Sequence, residues 1–187
     1  MSVFKTEITS DSIPSDNPIH QRLLKPYTVV KDEIRGNVLE LGCGEGRGIE
    51  EILPKVDAFL GLDKIDEVIQ NLGAKFPQAQ FMQSFFPPVE ILESGVFDFI
   101  ISFQVIEHIR SDRLFLEEIY RLLKPGGIAI ISTPNIKMSL SRNPWHIREY
   151  TAMELEDLCK GIFNKVITKG IAGNSKVMEY HEDNRRS

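Results

Sequence analysis

The sequence has few cysteines and no long apolar run. Its 187 residues include only two cysteines, Cys43 and Cys159, which are too few for a disulfide framework. No apolar stretch approaches the roughly 20 residues that a membrane-spanning helix needs. Residues 1–16 are too polar for a signal peptide. These absences argue against a disulfide-stapled secreted domain, and they predict a cytoplasmic protein without a membrane span.

The chain also lacks an excess of basic residues, internal repeats and low-complexity segments. Lysine and arginine number 22 against 27 acidic residues, so the formal net charge is −5. A negative charge argues against electrostatic attraction to nucleic acid or to an anionic membrane. The expected partner is therefore a small molecule and not a nucleic acid. The sequence leaves the oligomeric state open between monomer and dimer.

Short apolar runs alternate with helical patterns along most of the chain. The predicted strands read "NVLELG", "AFLGLD", "QFMQSF", "VFDFIISF", "IAIIST" and "FNKVIT". Five or six such alternations predict an α/β fold, a Rossmann-like three-layer sandwich with a mostly parallel sheet and helices on both faces. Thr151 and Glu154 have the spacing of a capping box, which predicts that a helix begins there.

The two ends of the chain are less regular than its middle. Pro26 interrupts the first helical pattern, which gives either two short helices or one kinked helix. The tail reads as a short strand or as a polar helix, so the sheet can be truncated at its C-terminal strands. We predict one domain over residues 1–187, with a loose leader (1–16), a helical lid (17–35) and a core (36–170).

The stretch "VLELGCGEGRG" places four glycines at every second position directly after a predicted buried strand. Glycine in regular structure costs about 0.5–1 kcal/mol relative to alanine, so the cluster needs a reason. A glycine loop between a parallel strand and its helix lets a ligand approach the backbone. The spacing does not match the dinucleotide fingerprint, and no Gly-Lys-Ser/Thr of a phosphate loop follows.

Two acidic residues end the first two predicted strands. Glu40 at the end of a buried strand is costly unless it meets a cation or hydrogen-bond donors. Asp63 ends the next strand, where a carboxylate accepts hydrogen bonds from a ribose diol. A nucleoside that carries a cationic amino-acid tail would satisfy both carboxylates.

With these residues the chain resembles the class I S-adenosylmethionine-dependent methyltransferases, in their small-molecule, type 11/12-like branch. The resemblance rests on "VLELGCGEG", on "GLD" followed by "KI", on "FDFIISFQVIEHI" and on "LLKPGGIAIISTPN", in this order over residues 37–135. It implies an enzyme that uses S-adenosylmethionine and releases S-adenosylhomocysteine.

The resemblance also implies which residues bind the cofactor. Asp63 would bind the ribose hydroxyls, and Ser84 stands where the family usually carries an acid near the adenine. That departure weakens the adenine contact, although a serine hydroxyl can still accept a hydrogen bond. The full implied set is Glu40, Gly42, Cys43, Gly44, Gly46, Asp63, Lys64, Ile65, Ser84, Phe85, Phe103 and Gln104.

In this family the protein mainly aligns the acceptor with the methyl group and the sulfur, because a sulfonium methyl is already activated for in-line displacement. A base is needed only where the acceptor holds a proton. His108 in "IEHI" and His146 in "NPWHIREYT" are the candidate bases, with ordering of a loop as the alternative for His108. Candidate acceptor contacts are Trp145, Arg148, Tyr150 and Tyr27. The alternatives are a loop folded on its own aromatic residues, with Arg148 in a salt bridge to an acid, and packing of Tyr27 on the sheet edge.

No group of histidines, cysteines and carboxylates has the sequence spacing of metal ligands, so no metal is expected. The expected reaction is methyl transfer to a small-molecule or to a glycan or lipid-precursor acceptor. The alternatives are a non-catalytic cofactor-binding or partner-subunit domain of the same fold and, third, a nicotinamide enzyme. The sequence does not determine the acceptor, nor whether its attacking atom is oxygen, nitrogen or carbon.

Overall fold

The computed structural model describes residues 18–141 and 143–185, and within them five strands alternate with helices. The strands are β1 (Asn37–Leu41), β2 (Ala58–Asp63), β3 (Gln80–Gln83), β4 (Phe97–Phe103) and β5 (Leu123–Ser132). The α-helices are α1 (Pro18–Val30), α2 (Ile49–Ile52), α3 (Asp66–Lys75), α4 (Asp112–Leu122), α5 (Ala152–Lys160) and α6 (Ser175–Arg185). The leader predicted over residues 1–16 lies outside the described residues.

The five strands form one parallel sheet in the order β3-β2-β1-β4-β5. This confirms the predicted α/β class. The chain moves outward from β1 through β2 to β3 and then crosses back to β4, so the strand order reverses between β1 and β4. In such sheets a crevice opens beyond the carboxyl ends of the strands at the reversal, which is where ligands bind.

Side chains along each strand point alternately to the two faces of the sheet, so each face carries its own apolar layer. On β1, Val38 packs on the face that carries α1, α2 and α3, whereas Leu39 packs on the face that carries α4 and α5. On β4, Ile101 and Ile100 divide in the same way. Because side chains two apart share a face, Glu40 follows Val38 onto the side of α1 to α3.

The structure decides between the alternatives that the sequence left open for the first helical pattern and for the tail. The first helical pattern forms one α-helix, α1, with Pro26 inside it. The tail forms a helix, α6, and not a strand. Across the described ranges, we find no helix that combines the length and the apolar character needed to span a membrane.

The strand predicted from "FNKVIT" was wrong, because residues 163–168 are not in a strand. Phe163 and Val166 instead pack, partly buried, against the core on the side of α4, and the Phe163 ring contacts the Tyr120 ring edge-on. A strand forms only where a neighbour completes its hydrogen bonds. Within the described residues β5 pairs with β4 alone, and Ile128 on β5 is 46% exposed, so this edge strand is only partly buried.

The predicted capping box at α5 is confirmed. The Thr151 hydroxyl accepts a hydrogen bond from the Glu154 amide, and the Glu154 carboxylate accepts one from the Thr151 amide. We expect Thr151→Ala to lower the free energy of unfolding by about 1 kcal/mol, since one donor at the helix start loses its partner. Urea unfolding measures the change. Thr151→Ser keeps the hydroxyl and should lose little, so equal losses in both variants would contradict the capping role.

Candidate functional site

The glycine loop that follows β1 uses its glycines for two different purposes. Gly42, Gly44 and Gly46 all have positive φ angles, of 79°, 51° and 77°. A side chain on Gly42 would strike Val105, and one on Gly46 would strike Leu72, each at 2.4 Å. At Gly44 an added Cβ would meet no atom within 4 Å. The outer two glycines therefore permit close packing, whereas Gly44 faces open space.

The Asp63 carboxylate closes one side of that opening. Its two oxygens accept hydrogen bonds from the amide of Gly44 at 3.0 Å and from the amide of Ile65 at 3.1 Å. The Leu62 carbonyl accepts the amides of Gly42 and Cys43 and so ties the loop to β2. The end of β2 and the glycine loop thus form one hydrogen-bonded unit.

Glu40 is fully buried on the same face of the sheet, and one of its oxygens lacks a partner. The Tyr27 hydroxyl donates a short hydrogen bond to Oε1, while Oε2 has no hydrogen-bond partner within the described part of the chain. Burial raises the pKa of Glu40 to about 8; the bond from Tyr27 opposes this, and the charge of Asp63 adds to it. A buried carboxyl with an unused oxygen fits a ligand that brings a cation or a donor.

Helix α1 covers the loop through Tyr27. The Tyr27 ring lies over Gly48, where an added Cβ would be 1.9 Å from the ring, and it meets the Phe103 ring edge-on with centroids 4.7 Å apart. Burial, followed by the charge of Glu40, raises the pKa of the Tyr27 hydroxyl well above its usual value. The structure therefore groups Tyr27 with the predicted cofactor residues and not with the predicted acceptor contacts.

The residues predicted to lie near an adenine line the ends of β2 and β3. The Ser84 amide donates to the Asp63 carbonyl, and the Ser84 hydroxyl donates to the Phe85 carbonyl. The Phe85 ring is 74% exposed. Lys64 follows Asp63 directly, and its carbonyl accepts the Gln83 side chain. An exposed aromatic ring therefore directly follows the residue that bonds the end of β2.

Gln104, directly after β4, has a conformation that the sequence did not predict. Its φ angle of 59° is the one positive value at a non-glycine position among the described residues. Its amide donates to the Ser132 carbonyl, and its side chain donates to the Ser132 hydroxyl. A left-handed non-glycine residue costs about 1–3 kcal/mol and persists only where its surroundings fix it, often at functional sites.

His108 and His146, far apart in the sequence, form a ring pair with centroids 5.0 Å apart. His108 Nδ1 lies 2.9 Å from the Trp145 carbonyl oxygen, and His146 Nδ1 lies 2.6 Å from a Glu149 oxygen. The Glu107 carbonyl accepts the amides of Ile147 and Arg148 and fixes this loop against the end of β4. The sequence prediction named both histidines but missed Glu107 and Glu149.

The other predicted acceptor contacts have different environments. Tyr150 is buried in the core, and its hydroxyl donates to Asp112. Arg148 forms an ion pair with Asp112 at 3.1 Å and stacks over the Tyr150 ring. Trp145 is 55% exposed. Of these residues Trp145 is the most accessible, whereas the Tyr150 side chain is buried and hydrogen-bonded within the protein.

A pocket of about 520 Å³ lies in the segment that follows β5. Its polar lining residues are Ser139, Ser141, His146, Arg148 and Glu149. Large apolar side chains lie exposed in the same segment, namely Ile136, Met138, Leu140, Trp145 and Ile147. The histidine pair therefore lies beside an opening with mixed apolar and polar walls.

A family model described as "Methyltransferase domain" matches residues 18–162, which is most of the chain. The chain belongs to the class I S-adenosylmethionine-dependent methyltransferases. A Mycolicibacterium smegmatis relative named "Probable S-adenosylmethionine-dependent methyltransferase" is 36% identical, over 65% of this chain and 49% of its own length. A Mycobacterium tuberculosis relative with a corresponding name is 33% identical, over 75% of this chain and 50% of its own. The methyltransferase domain thus spans about half the length of these curated relatives.

Solved structures show the same fold at low sequence identity. A Pyrococcus horikoshii protein is 21% identical with a TM-score of 0.68, and the match covers 90% of both chains. The [4+2]-cyclase SpnF is 18% identical with a TM-score of 0.65, and the match covers 86% of this chain and 63% of SpnF. A methyltransferase and a cyclase can thus share this architecture, so the reaction must be argued from the site.

S-adenosylmethionine is the cofactor of this family, and when bound it supplies an activated sulfonium methyl group. The described site fits it in three respects. Glu40 has an unpartnered buried oxygen for an ammonium group, Asp63 has a carboxylate for a ribose, and Gly44 leaves room at the backbone. The family match also removes the basis for the nicotinamide alternative.

The opening at Gly44 gives a direct test of the binding site. We expect Gly44→Val to abolish S-adenosylmethionine binding, measured by titration calorimetry, because the added side chain fills the space beside the loop. Gly95→Val is the matched control, since Gly95 also has a positive φ angle, of 71°, and open space at Cβ but lies in another loop. Equal affinities in the two folded variants would show that the cofactor binds elsewhere.

Proposed function

We propose that this domain transfers a methyl group from S-adenosylmethionine to a hydroxyl oxygen of an amphipathic small molecule, such as a glycan or lipid precursor. The observation that carries this proposal is the histidine pair, which lies beside a pocket with apolar and polar walls. Both lie in segments that follow the carboxyl ends of β4 and β5, the side of the sheet where ligands bind.

The cofactor would be held by the residues around the glycine loop. We assign the ammonium group to Glu40 and the ribose hydroxyls to Asp63, with Gly44 leaving space for the ligand. The other residues that the sequence analysis predicted to contact the cofactor remain predicted contacts. They are Gly42, Cys43, Gly46, Lys64, Ile65, Ser84, Phe85, Phe103 and Gln104.

The exposed apolar side chains around the pocket favour an acceptor with an apolar part. Ile136, Leu140 and Ile147 line the pocket and are each about half exposed, and clustered exposure of large apolar groups often marks a binding surface. Relatives at 26–30% identity include proteins named ubiquinone biosynthesis O-methyltransferase, for example from Pelagibacter ubique and Dictyostelium discoideum. Those names support oxygen as the attacking atom.

The histidine pair would act on the proton of the acceptor hydroxyl. The Trp145 carbonyl can only accept a hydrogen bond, so it favours the His108 tautomer with the proton on Nδ1, in which Nε2 is the basic nitrogen. As the acceptor oxygen bonds to the methyl carbon and the carbon–sulfur bond breaks, the hydroxyl proton passes to this nitrogen. His146, held by Glu149, would position the acceptor beside it.

A non-catalytic role in cofactor binding is the second candidate. The observation that favours this role concerns Ser84, which stands in place of an acid at the predicted adenine edge. Its hydroxyl donates a hydrogen bond to the Phe85 carbonyl. Such a domain would bind S-adenosylmethionine without transferring its methyl group.

Transfer of a labelled methyl group tests the proposed function. Purified protein is incubated with S-adenosylmethionine labelled with tritium in its methyl group and with organic-phase or aqueous cell extracts. We expect label in small molecules that enter the organic phase. His108→Gln should slow transfer about a hundredfold, a typical contribution of one general base, with unchanged cofactor affinity.

His181→Gln is the matched control for this experiment, since His181 hydrogen-bonds the Met138 carbonyl and is not part of the ring pair. Its transfer rate should equal that of the wild type. Label found only in protein or nucleic acid would contradict a small-molecule acceptor. Cofactor binding without transfer to any fraction would favour the non-catalytic domain.

A further inference from the structure

We propose that Glu107, His108 and His146 form a binding site for a divalent transition-metal ion beside the acceptor pocket. One ligating atom from each of these residues lies within 4.8 Å of the others. Two imidazoles and a carboxylate suit ions such as Zn²⁺, Fe²⁺ and Co²⁺, and three protein ligands leave a coordination position open. The sequence spacing predicted no metal, because the fold and not the local sequence brings His146 to the other two.

Both histidines are oriented as metal-binding histidines usually are. His108 Nδ1 is bonded to a carbonyl oxygen, and His146 Nδ1 is bonded to the Glu149 carboxylate. Such partners favour the tautomer with the proton on Nδ1 and orient the ring, so that Nε2 is the nitrogen suited to bind an ion. At His146 the Asn143 side-chain amide donates to Nε2, which is consistent with the same tautomer. An entering ion would displace the Asn143 amide from Nε2.

Glu107 is held rigidly between the two histidines' segments. It lies in the 3₁₀ turn Ile106–His108 and is almost fully buried. The Thr133 hydroxyl donates to its Oε2, while its backbone carbonyl accepts the amides of Ile147 and Arg148. A carboxylate has about four lone-pair directions, so the bond from Thr133 orients the group and is compatible with coordination.

The charges around the three ligands favour a cation. Glu107 and Glu149 place two carboxylates beside two imidazoles. The Ser139 hydroxyl also donates a hydrogen bond to Glu149. Of the facing positive groups, Arg148 is paired with Asp112, and Arg22 acts on Glu149 from α1. A divalent ion would balance the two carboxylates.

The role of the ion rests on the proposed function, whereas its binding does not. An acceptor hydroxyl that coordinates the ion loses its proton to water more easily, because the ion lowers the pKa of the bound oxygen. That oxygen then bonds to the methyl carbon as the carbon–sulfur bond breaks. With an ion present, His108 and His146 hold the ion, and the ion replaces the general base.

Cobalt titration tests the site without any acceptor. Chelator-treated protein is titrated with Co²⁺ and followed by its visible absorption, and Zn²⁺ is then added in competition. We expect one ion per chain, with the absorption band of imidazole-ligated cobalt, displaced by Zn²⁺. His108→Ala, His146→Ala and Glu107→Gln should each weaken binding at least about tenfold, the smallest loss that even an outer partner of a metal site causes.

His181→Ala is the matched control and should bind Co²⁺ as the wild type does. Absence of a saturable cobalt band, or equal loss in His181→Ala, would leave only adventitious binding and overturn the proposal. Titration of each variant with S-adenosylmethionine checks that it is folded. Metal binding without methyl transfer would refute the proposed function alone, whereas transfer by chelated protein would refute the role of the ion alone.

Discussion

The buried Glu40 carboxyl is the constraint on which the rest of the site depends. It lies at the end of the central strand, where burial raises its pKa to about 8 and Tyr27 satisfies only one of its oxygens. A carboxyl in this state destabilises the fold whenever it ionises, unless a cation joins it. The position therefore fits the proposed ion pair, in which the ligand brings the cation.

The topology of the sheet brings the other parts of the site to Glu40. Parallel strands end at one edge, so Asp63 at the end of β2 and Phe103 at the end of β4 reach the same crevice. Because side chains alternate along a strand, Glu40 and Asp63 both lie on the face of the sheet that α1 covers. Tyr27 on α1 contacts Glu40 there. The segments after β4 and β5 begin at this same edge of the sheet, and they hold the two histidines.

The sequence predicted the strands, the glycine loop and both carboxylates, because each of these leaves a local signal. Apolar runs mark buried strands, and glycines mark positive φ angles at Gly42 and Gly46. "FNKVIT" had the same apolar signal but was wrong, since a strand also needs a neighbour, which no local pattern shows. For the same reason, the contact between His108 and His146 could not be predicted, because it depends on the path of the loop after β5.

The acceptor loop shows how burial changes the meaning of a residue. Aromatic and charged side chains in "NPWHIREYT" look alike in the sequence, yet Trp145 is exposed whereas Tyr150 is buried against Asp112. Arg148 uses its charge within the protein, as the plainer alternative had it. Sequence patterns thus locate a functional loop more readily than they identify which of its side chains meet a ligand.

The proton balance of S-adenosylmethionine binding tests the role of Glu40 most directly. Calorimetry in buffers of different ionisation enthalpy counts the protons released between pH 6 and 7. Because the free carboxyl is protonated below about pH 8, binding of an ammonium group should expel about one proton, and affinity should rise nearly tenfold per pH unit. In Glu40→Gln both effects should vanish. Proton-neutral binding with a flat pH dependence in the wild type would contradict the proposed ion pair.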